Sequence, residues 1–246
     1  MDNELQLILA RVVAHQQTTR GNGTARPRAG TDDERFQKIK EEEARFRREQ
    51  LAKDIEHAGI FARYRSVTFA AIEARGLPEN PSIRENYAIV KDYAAHLAEN
   101  IREGIGLIFA GGCGTMKTTL AVAVLRQHIE AGGRGLILPM CSLIDHLYTL
   151  RTLNREEWAR FEERIRRTPL LIIDDLGGEN TDQSWVLAKV DSILTDRYNR
   201  QRPTIITTNL TQKELLGTYS GRLMDRLKST SRLLVFRGSS ERGVLA

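Results

Sequence analysis

The chain has 246 residues, 41% of them hydrophobic and 28% charged, enough for one large core or a main domain with an appendage, which excludes a small scaffold held together by cross-links. Its two cysteines, Cys113 and Cys141, form no C-x-x-C pair, so neither a disulfide framework nor a cysteine-based zinc site is expected, and a reducing cytoplasm fits. A net charge of +5 admits an anionic partner such as nucleic acid without requiring one.

The first expected element is a short amphipathic helix lined by Leu5, Leu7, Ile8, Val12 and Val13. Acidic residues precede its apolar stretch and Arg11 interrupts it, which argues against a secretory signal or a membrane anchor. No later run approaches the roughly 18 apolar residues of a membrane span. Gly21, Gly23, Pro27 and Gly30 then read as a flexible linker. A second helix is expected from about Thr31, where a capping residue and the acids Asp32, Asp33 and Glu34 suit a helix N-terminus. It should run through Phe36, Ile39, Phe46, Leu51 and Ile55 to about His57. Heavily charged and thinly apolar, it reads either as a solvated helix laced with i,i+4 ion pairs or as a docking element for a partner protein.

From about Val67 strands and helices alternate, the pattern of a parallel sheet covered by helices on both faces. Strands are expected at Gly106 to Ala110, Gly135 to Met140, Leu170 to Asp174, Thr204 to Thr208 and Arg232 to Phe236. A helix from Lys117 to Ala131 should stop at Gly132 and Gly133, and another from about Asp182 to Asn199 carries Leu187, Val190, Leu194 and Tyr198 at near-helical spacing. The expected division is a helical, charged N-terminal region over 1–66 and an α/β domain over 67–246.

Between the first strand and the helix at Lys117 lie Gly111, Gly112, Cys113, Gly114, Thr115 and Met116, followed by Lys117, Thr118 and Thr119. A strand, a glycine-rich turn and a helix in that order let backbone N–H groups and the helix dipole converge on a phosphate. Lys117 would reach the β- and γ-phosphates, and the Thr118 hydroxyl would bind Mg²⁺. Met116 departs from the strict pattern G-x-x-x-x-G-K-[ST], because it places a side chain where a glycine lets the loop wrap the nucleotide.

The run Leu170 to Ile173 is fit for a central buried strand and ends in Asp174 and Asp175. In P-loop ATPases, which this loop resembles, such a strand lies beside the loop strand and its first acid holds the Mg²⁺ shell. Asp174 is therefore expected in that role, and Asp175 is placed to polarise the attacking water. The strand ending at Thr208 leads to Asn209, placed to orient that water at the same sheet edge.

Over residues 58–246 these features resemble the AAA+ ATPases of the DnaC/DnaI helicase-loader family, to which the transposition helper IstB is a close relative. The resemblance also rests on Gly59 to Tyr64 leading to Thr68 and Phe69, on Arg202 to Asn209, and on Gly221-Arg222-Leu223-Met224-Asp225-Arg226-Leu227. It implies a central five-stranded parallel sheet flanked by helices, no C-terminal lid domain, and a small helical N-terminal region. It further implies an ATPase with ATP and Mg²⁺ as cofactors, Lys117 and Thr118 as the Walker A pair, Asp174 and Asp175 as the Walker B acids, and Asn209 as sensor 1. Arg226, or Arg222 one turn away, would be the arginine finger reaching a neighbouring subunit's ATP, and Arg242 the sensor 2 arginine. Asp175 stands where many AAA+ proteins have Glu, and the N-terminal part lacks the Cys/His zinc cluster of DnaI-type loaders.

The function implied is cytoplasmic: docking on a hexameric replicative helicase through the N-terminal helices and placing that ring on single-stranded DNA, with ATP binding and hydrolysis as an assembly switch. Self-association through the AAA+ domain and no membrane partner go with it. Tyr148, Arg151 and Arg155 are candidates for contacting the single strand. Two alternatives stand beside it, an IstB-like transposition helper and a non-catalytic adaptor whose nucleotide site Met116 has reduced to a remnant.

Overall fold

The computed structural model describes residues 29–153, 155–177 and 184–241, and the chain divides into two compact units, Met1–Glu49 and Gln50–Ala246. The short helix expected over Leu5 to Val13 and most of the linker after it lie outside the described residues. Helix α1 (Ala29–His57) begins two residues before the expected capping position. In the first unit its Phe36 is exposed with Lys40 over the ring, 4.6 Å from the centroid, and Arg45 and Glu49 form an exposed i,i+4 pair. Such a pair contributes only a few tenths of a kcal/mol.

In the second unit the end of α1 leads through a 3₁₀ turn (Ala62–Tyr64) to α2 (Phe69–Arg75), α3 (Pro81–Ala95) and α4 (Leu97–Glu103). There follow β1 (Gly106–Gly111), α5 (Lys117–Glu130), β2 (Gly135–Pro139), α6 (Met140–Leu153) and α7 (Arg155–Arg167). The chain continues with β3 (Leu170–Asp174), α8 (Ser184–Asn199), β4 (Thr204–Thr208), α9 (Gln212–Thr218), α10 (Gly221–Thr230) and β5 (Ser231–Phe236). Local chemistry sets several of these starts. Asn80 caps α3 by accepting from the backbone N–H groups of Ser82 and Ile83, with Pro81 at the first helical position where no N–H is missed. Ser220 caps α10 by accepting from Leu223 N–H at 3.1 Å and donates its own proton to Asp191. Thr211 and Glu214 form a capping box at α9, and those bonds hold the Glu214 carboxyl below the usual range.

The sheet order is β2-β3-β4-β1-β5 with every neighbouring pair parallel. The expectation that the acid-ended strand lies beside the loop strand is corrected: β4 stands between β1 and β3. Both β3 and β4 are continuous buried runs, so their composition does not decide which of them neighbours β1. Side chains alternate between two core layers, as the period of a strand requires. Leu107, Phe109, Ile172, Ile205, Leu234 and Phe236 meet α2 to α5 on one face. Ile108, Leu171, Ile173 and Ile206 meet α6 to α10 on the other. Each such buried side chain contributes about 1.5–3 kcal/mol.

Both sheet edges are covered. Ile137 N–H on β2 donates to Ala58 O at 2.8 Å, and Val235 O on β5 accepts from Ser82 Oγ and Asn86 Nδ2. The fully buried Arg197 donates to Ile165 O, Thr168 O, Pro203 O and Thr204 Oγ1, tying the end of α7 to the start of β4. Burial pulls its pKa down to about 9, which leaves it protonated at neutral pH.

Candidate functional site

Because β3, β4 and β1 are parallel neighbours, their C-terminal ends form one rim, and every residue of the central array projects from it. The loop after β1 turns into α5 through Met116, whose φ of 69° and ψ of 6° lie in the left-handed region. Glycine adopts that conformation freely, which is the physical reason the pattern prefers it there, whereas a side chain costs about 1–2 kcal/mol. Met116 is partly buried against the core layer beneath the loop, so its side chain is accommodated by packing.

Lys117, 6% exposed, donates from Nζ to Gly111 O and Gly112 O at 2.7 Å and to Asn209 Oδ1 at 2.9 Å. Asn209 Nδ2 donates in turn to Asp175 Oδ1 at 2.6 Å. Thr118 Oγ1 donates to Asp174 Oδ1 at 2.8 Å, so the helix that begins at the loop reaches over β4 to the end of β3. The predicted residues Lys117, Thr118, Asp174, Asp175 and Asn209 thus form one connected array. Asn209 binds the lysine as well as the second acid, a link that reading it only as a water-orienting group did not include.

Two further contributions were not foreseen. Thr207 Oγ1 donates to Asp174 Oδ1 at 2.6 Å and accepts from Asp175 N–H at 2.9 Å. A threonine inside a strand looks like any β-branched residue, so nothing in the sequence marks it. The array also opens into a cavity of about 760 Å³ lined on one side by residues 113–119, Asp174, Asp175, Thr207 and Asn209. Its other wall comes from residues 63–79, with Tyr64, Val67, Ile72, Leu77 and Pro78 supplying apolar surface and Arg63, Arg75 and Glu79 polar groups. The signal that could have found this wall is the segment Gly59 to Phe69, which already carried part of the family resemblance.

The tail after β5 lies against the loop. Glu241 N–H donates to Gly114 O at 3.0 Å, and Gly114, at φ 78°, leaves no room for a Cβ, which would stand 2.0 Å from Ser240 Oγ. Arg242 lies outside the described residues. Arg226 does not line the cavity of its own chain: it donates to Thr195 Oγ1 at 2.6 Å and lies 5.7 Å from the Tyr198 ring, beside a separate hollow at the N-terminal ends of β4 and β5. Arg222, one turn earlier on α10, is exposed. Tyr148 packs edge-on against Trp185, while Arg151 and Arg155 are placed on α6 and α7 by their backbones.

The donor set suits a hard divalent cation that also takes phosphate oxygens. A hydroxyl and a carboxylate stand together at Thr118 and Asp174, and the described residues include no group of three or more His, Cys, Asp or Glu able to hold a metal alone. Mg²⁺ is bound in that manner, through one or two carboxylates plus substrate phosphates. No helix among the described residues is long and apolar enough to cross a membrane.

Comparison with known proteins agrees with this architecture. The family described as IstB-like ATP binding protein matches residues 86–243. The replicative helicase loader DnaC of Escherichia coli K12 is 26% identical over 177 residues, covering 68% of this chain and 71% of that protein. The replicative helicase loader DnaI of Bacillus subtilis is 30% identical over 124 residues, 49% of this chain and 39% of that one. A crystal structure of the DnaC helicase loader superposes with a TM-score of 0.64 at 27% identity, over 72% of this chain and all of that one.

Proposed function

Since the chain belongs to the family of IstB-like ATP binding proteins, we propose that it is an ATP-driven loader that places a hexameric replicative helicase on single-stranded DNA. The observation that carries the ATP-dependent part is the array itself: a buried lysine, a helix-start threonine and two acids tied together across three strand ends. The likeness to the loaders DnaC and DnaI supports the helicase as partner.

In this reading the loop N–H groups and Lys117 hold the phosphates, and Thr118 and Asp174 hold Mg²⁺, which when bound neutralises phosphate charge. Asp175 takes the proton of the attacking water or orients it, and Asn209 fixes Asp175 relative to the lysine. Tyr64, Val67, Ile72, Leu77 and Pro78 offer apolar surface for the purine. The arginine finger role of Arg226, with Arg222 as the alternative, and the sensor 2 role of Arg242 belong to the same proposal. A finger acts on a neighbour's ATP, which accords with Arg226 lying away from its own chain's cavity. Helix α1, with Phe36 exposed on a highly charged surface, is the proposed docking element for the helicase, and residues 1–66 the docking region. Self-association through the second unit and a cytoplasmic site of action complete the proposal.

The test is ATP binding and turnover for the wild type and Lys117→Ala, with and without single-stranded DNA, followed by helicase capture. Mg²⁺-dependent binding lost in the variant, with turnover altered by single strands, supports the loader. Stimulation by duplex instead points to an IstB-like helper, and a folded wild type that binds no nucleotide leaves the non-catalytic adaptor.

A further inference from the structure

We infer that Thr207 is a positioning residue that holds the two acids at the end of β3 in register for Mg²⁺ and water. The inference rests on the ATP-dependent reading above and assigns a task to a side chain for which the sequence patterns give none.

Its polarity is forced by its partners. Asp175 N–H can only donate, so Thr207 Oγ1 accepts there, and the single hydroxyl proton is left for Asp174 Oδ1, a carboxylate oxygen that can only accept. The same oxygen takes the Thr118 hydroxyl, so two threonines from β4 and α5 fix the rotation of one carboxylate. The partner acid needs support as well. Asp175 stands at φ 60°, a conformation a non-glycine residue keeps only when its surroundings over-determine it.

β4 grips the turn after β3 at further points: Leu176 N–H donates to Thr207 O at 2.8 Å, and Thr208 Oγ1 donates to Leu176 O at 2.6 Å. Those bonds survive any change at the Thr207 side chain and keep the turn in place. What the Thr207 hydroxyl adds is contact with both acids at once, from a side chain only 1% exposed and therefore shielded from competing water. Groups that orient a metal-binding carboxylate typically change metal affinity 10- to 100-fold when removed.

The experiment titrates Mg²⁺ into the full-length protein with a fluorescent ATP analogue, comparing the wild type with Thr207→Val and Thr207→Ser. Valine keeps the shape and removes the hydroxyl, and serine keeps the hydroxyl. The expected result is a roughly 10- to 100-fold weaker Mg²⁺ requirement-curve midpoint for valine, unchanged analogue binding in EDTA, and rescue by serine. Valine with wild-type Mg²⁺ dependence, or serine as impaired as valine, overturns the assignment. Amide hydrogen exchange on the wild type needs no variant: Asp175 N–H should exchange slowly, and rapid exchange overturns the bond to Thr207. A wild type that binds no analogue at all overturns the ATP-dependent reading and the assignment with it, an outcome distinct from binding that ignores the Thr207 hydroxyl.

Discussion

Lys117 and Asn209, 92 positions apart, share a hydrogen bond of 2.9 Å, and the same amide donates to Asp175. The amide is thereby locked, with its oxygen toward the cation and its nitrogen toward the acid. Asn209→Ala breaks the link while leaving Lys117 its two loop carbonyls. Turnover should fall by about 10²–10³, the scale set by removing one preorganised polar group, while nucleotide affinity changes little. Single-turnover hydrolysis beside a nucleotide titration measures both. A loss of affinity with turnover at saturating nucleotide unchanged would place Asn209 in binding alone.

Met116 makes a second prediction, because its backbone at φ 69° opposes its side chain. Met116→Ala gives up the partial burial yet retains the Cβ that strains the left-handed region. Met116→Gly gives up the same burial and relieves the strain. In an ordinary helix alanine is the more stable by about 1 kcal/mol, but here glycine should be the more stable by about that amount. Urea unfolding of both variants decides it, and alanine coming out ahead would mean that the loop relaxes away from this conformation.

Much of this arrangement was legible in the sequence, and the reason is physical. The strand Leu170 to Asp174 is apolar on both faces and ends in charge, so both its extent and the place of its acids follow from burial alone. Lys117, Thr118, Asp174, Asp175 and Asn209 were each recognisable from residue type at an element's end, and the structure joins them. Strand order was not legible, since β3 and β4 are both short strands buried along their length, and either could flank β1. Thr207 was hidden by being one of several strand threonines, distinguished only by which neighbour its hydroxyl meets. Helix α7 has Trp158, Phe161 and Ile165 along an otherwise charged stretch, an apolar stripe thin enough to pass for a solvated segment until its packing under α8 is seen.

His128, in the last turn of α5, predicts an acid-sensitive step in stability. Its Nε2 is buried without a hydrogen-bond partner among the described residues, and its ring occupies the space a Cβ at Gly133 would need. Burial lowers its pKa from the ordinary 6.5, against a smaller opposing effect of its bond to the Arg134 backbone. The unfolded chain therefore takes up a proton at higher pH than the folded one. This contribution is complete above about pH 6.5 and is lost as pH falls toward the depressed folded value. Replacing His128 with Leu removes the term, so the stability of the variant relative to wild type should rise on going from about pH 7.5 to about pH 5.5. Thermal unfolding at the two pH values checks it, and a difference independent of pH would show that the imidazole does not titrate in this way.

Gly114 joins the loop to the tail and gives the last prediction. Its φ of 78° already favours glycine, and an added Cβ would meet Ser240 Oγ at 2.0 Å and Ser240 Cα at 3.0 Å, so rotation of one hydroxyl cannot make room. Either the loop or the tail must shift. The tail is the softer side: Asn80 Nδ2 bonds to Arg237 O at 2.8 Å and the Ser82 hydroxyl accepts from Arg237 N–H, after which the bond from Glu241 N–H to Gly114 O holds residues 238–241 down. Gly114→Ala should therefore release the segment beyond Arg237 and cost about 1–2 kcal/mol of stability through the left-handed conformation. Limited trypsin digestion should cut after Arg237 faster in the variant, while fragments from the β1 to α5 region appear at the wild-type rate. Unchanged cleavage after Arg237 with a faster cut after Lys117 would mean that the loop, rather than the tail, gives way.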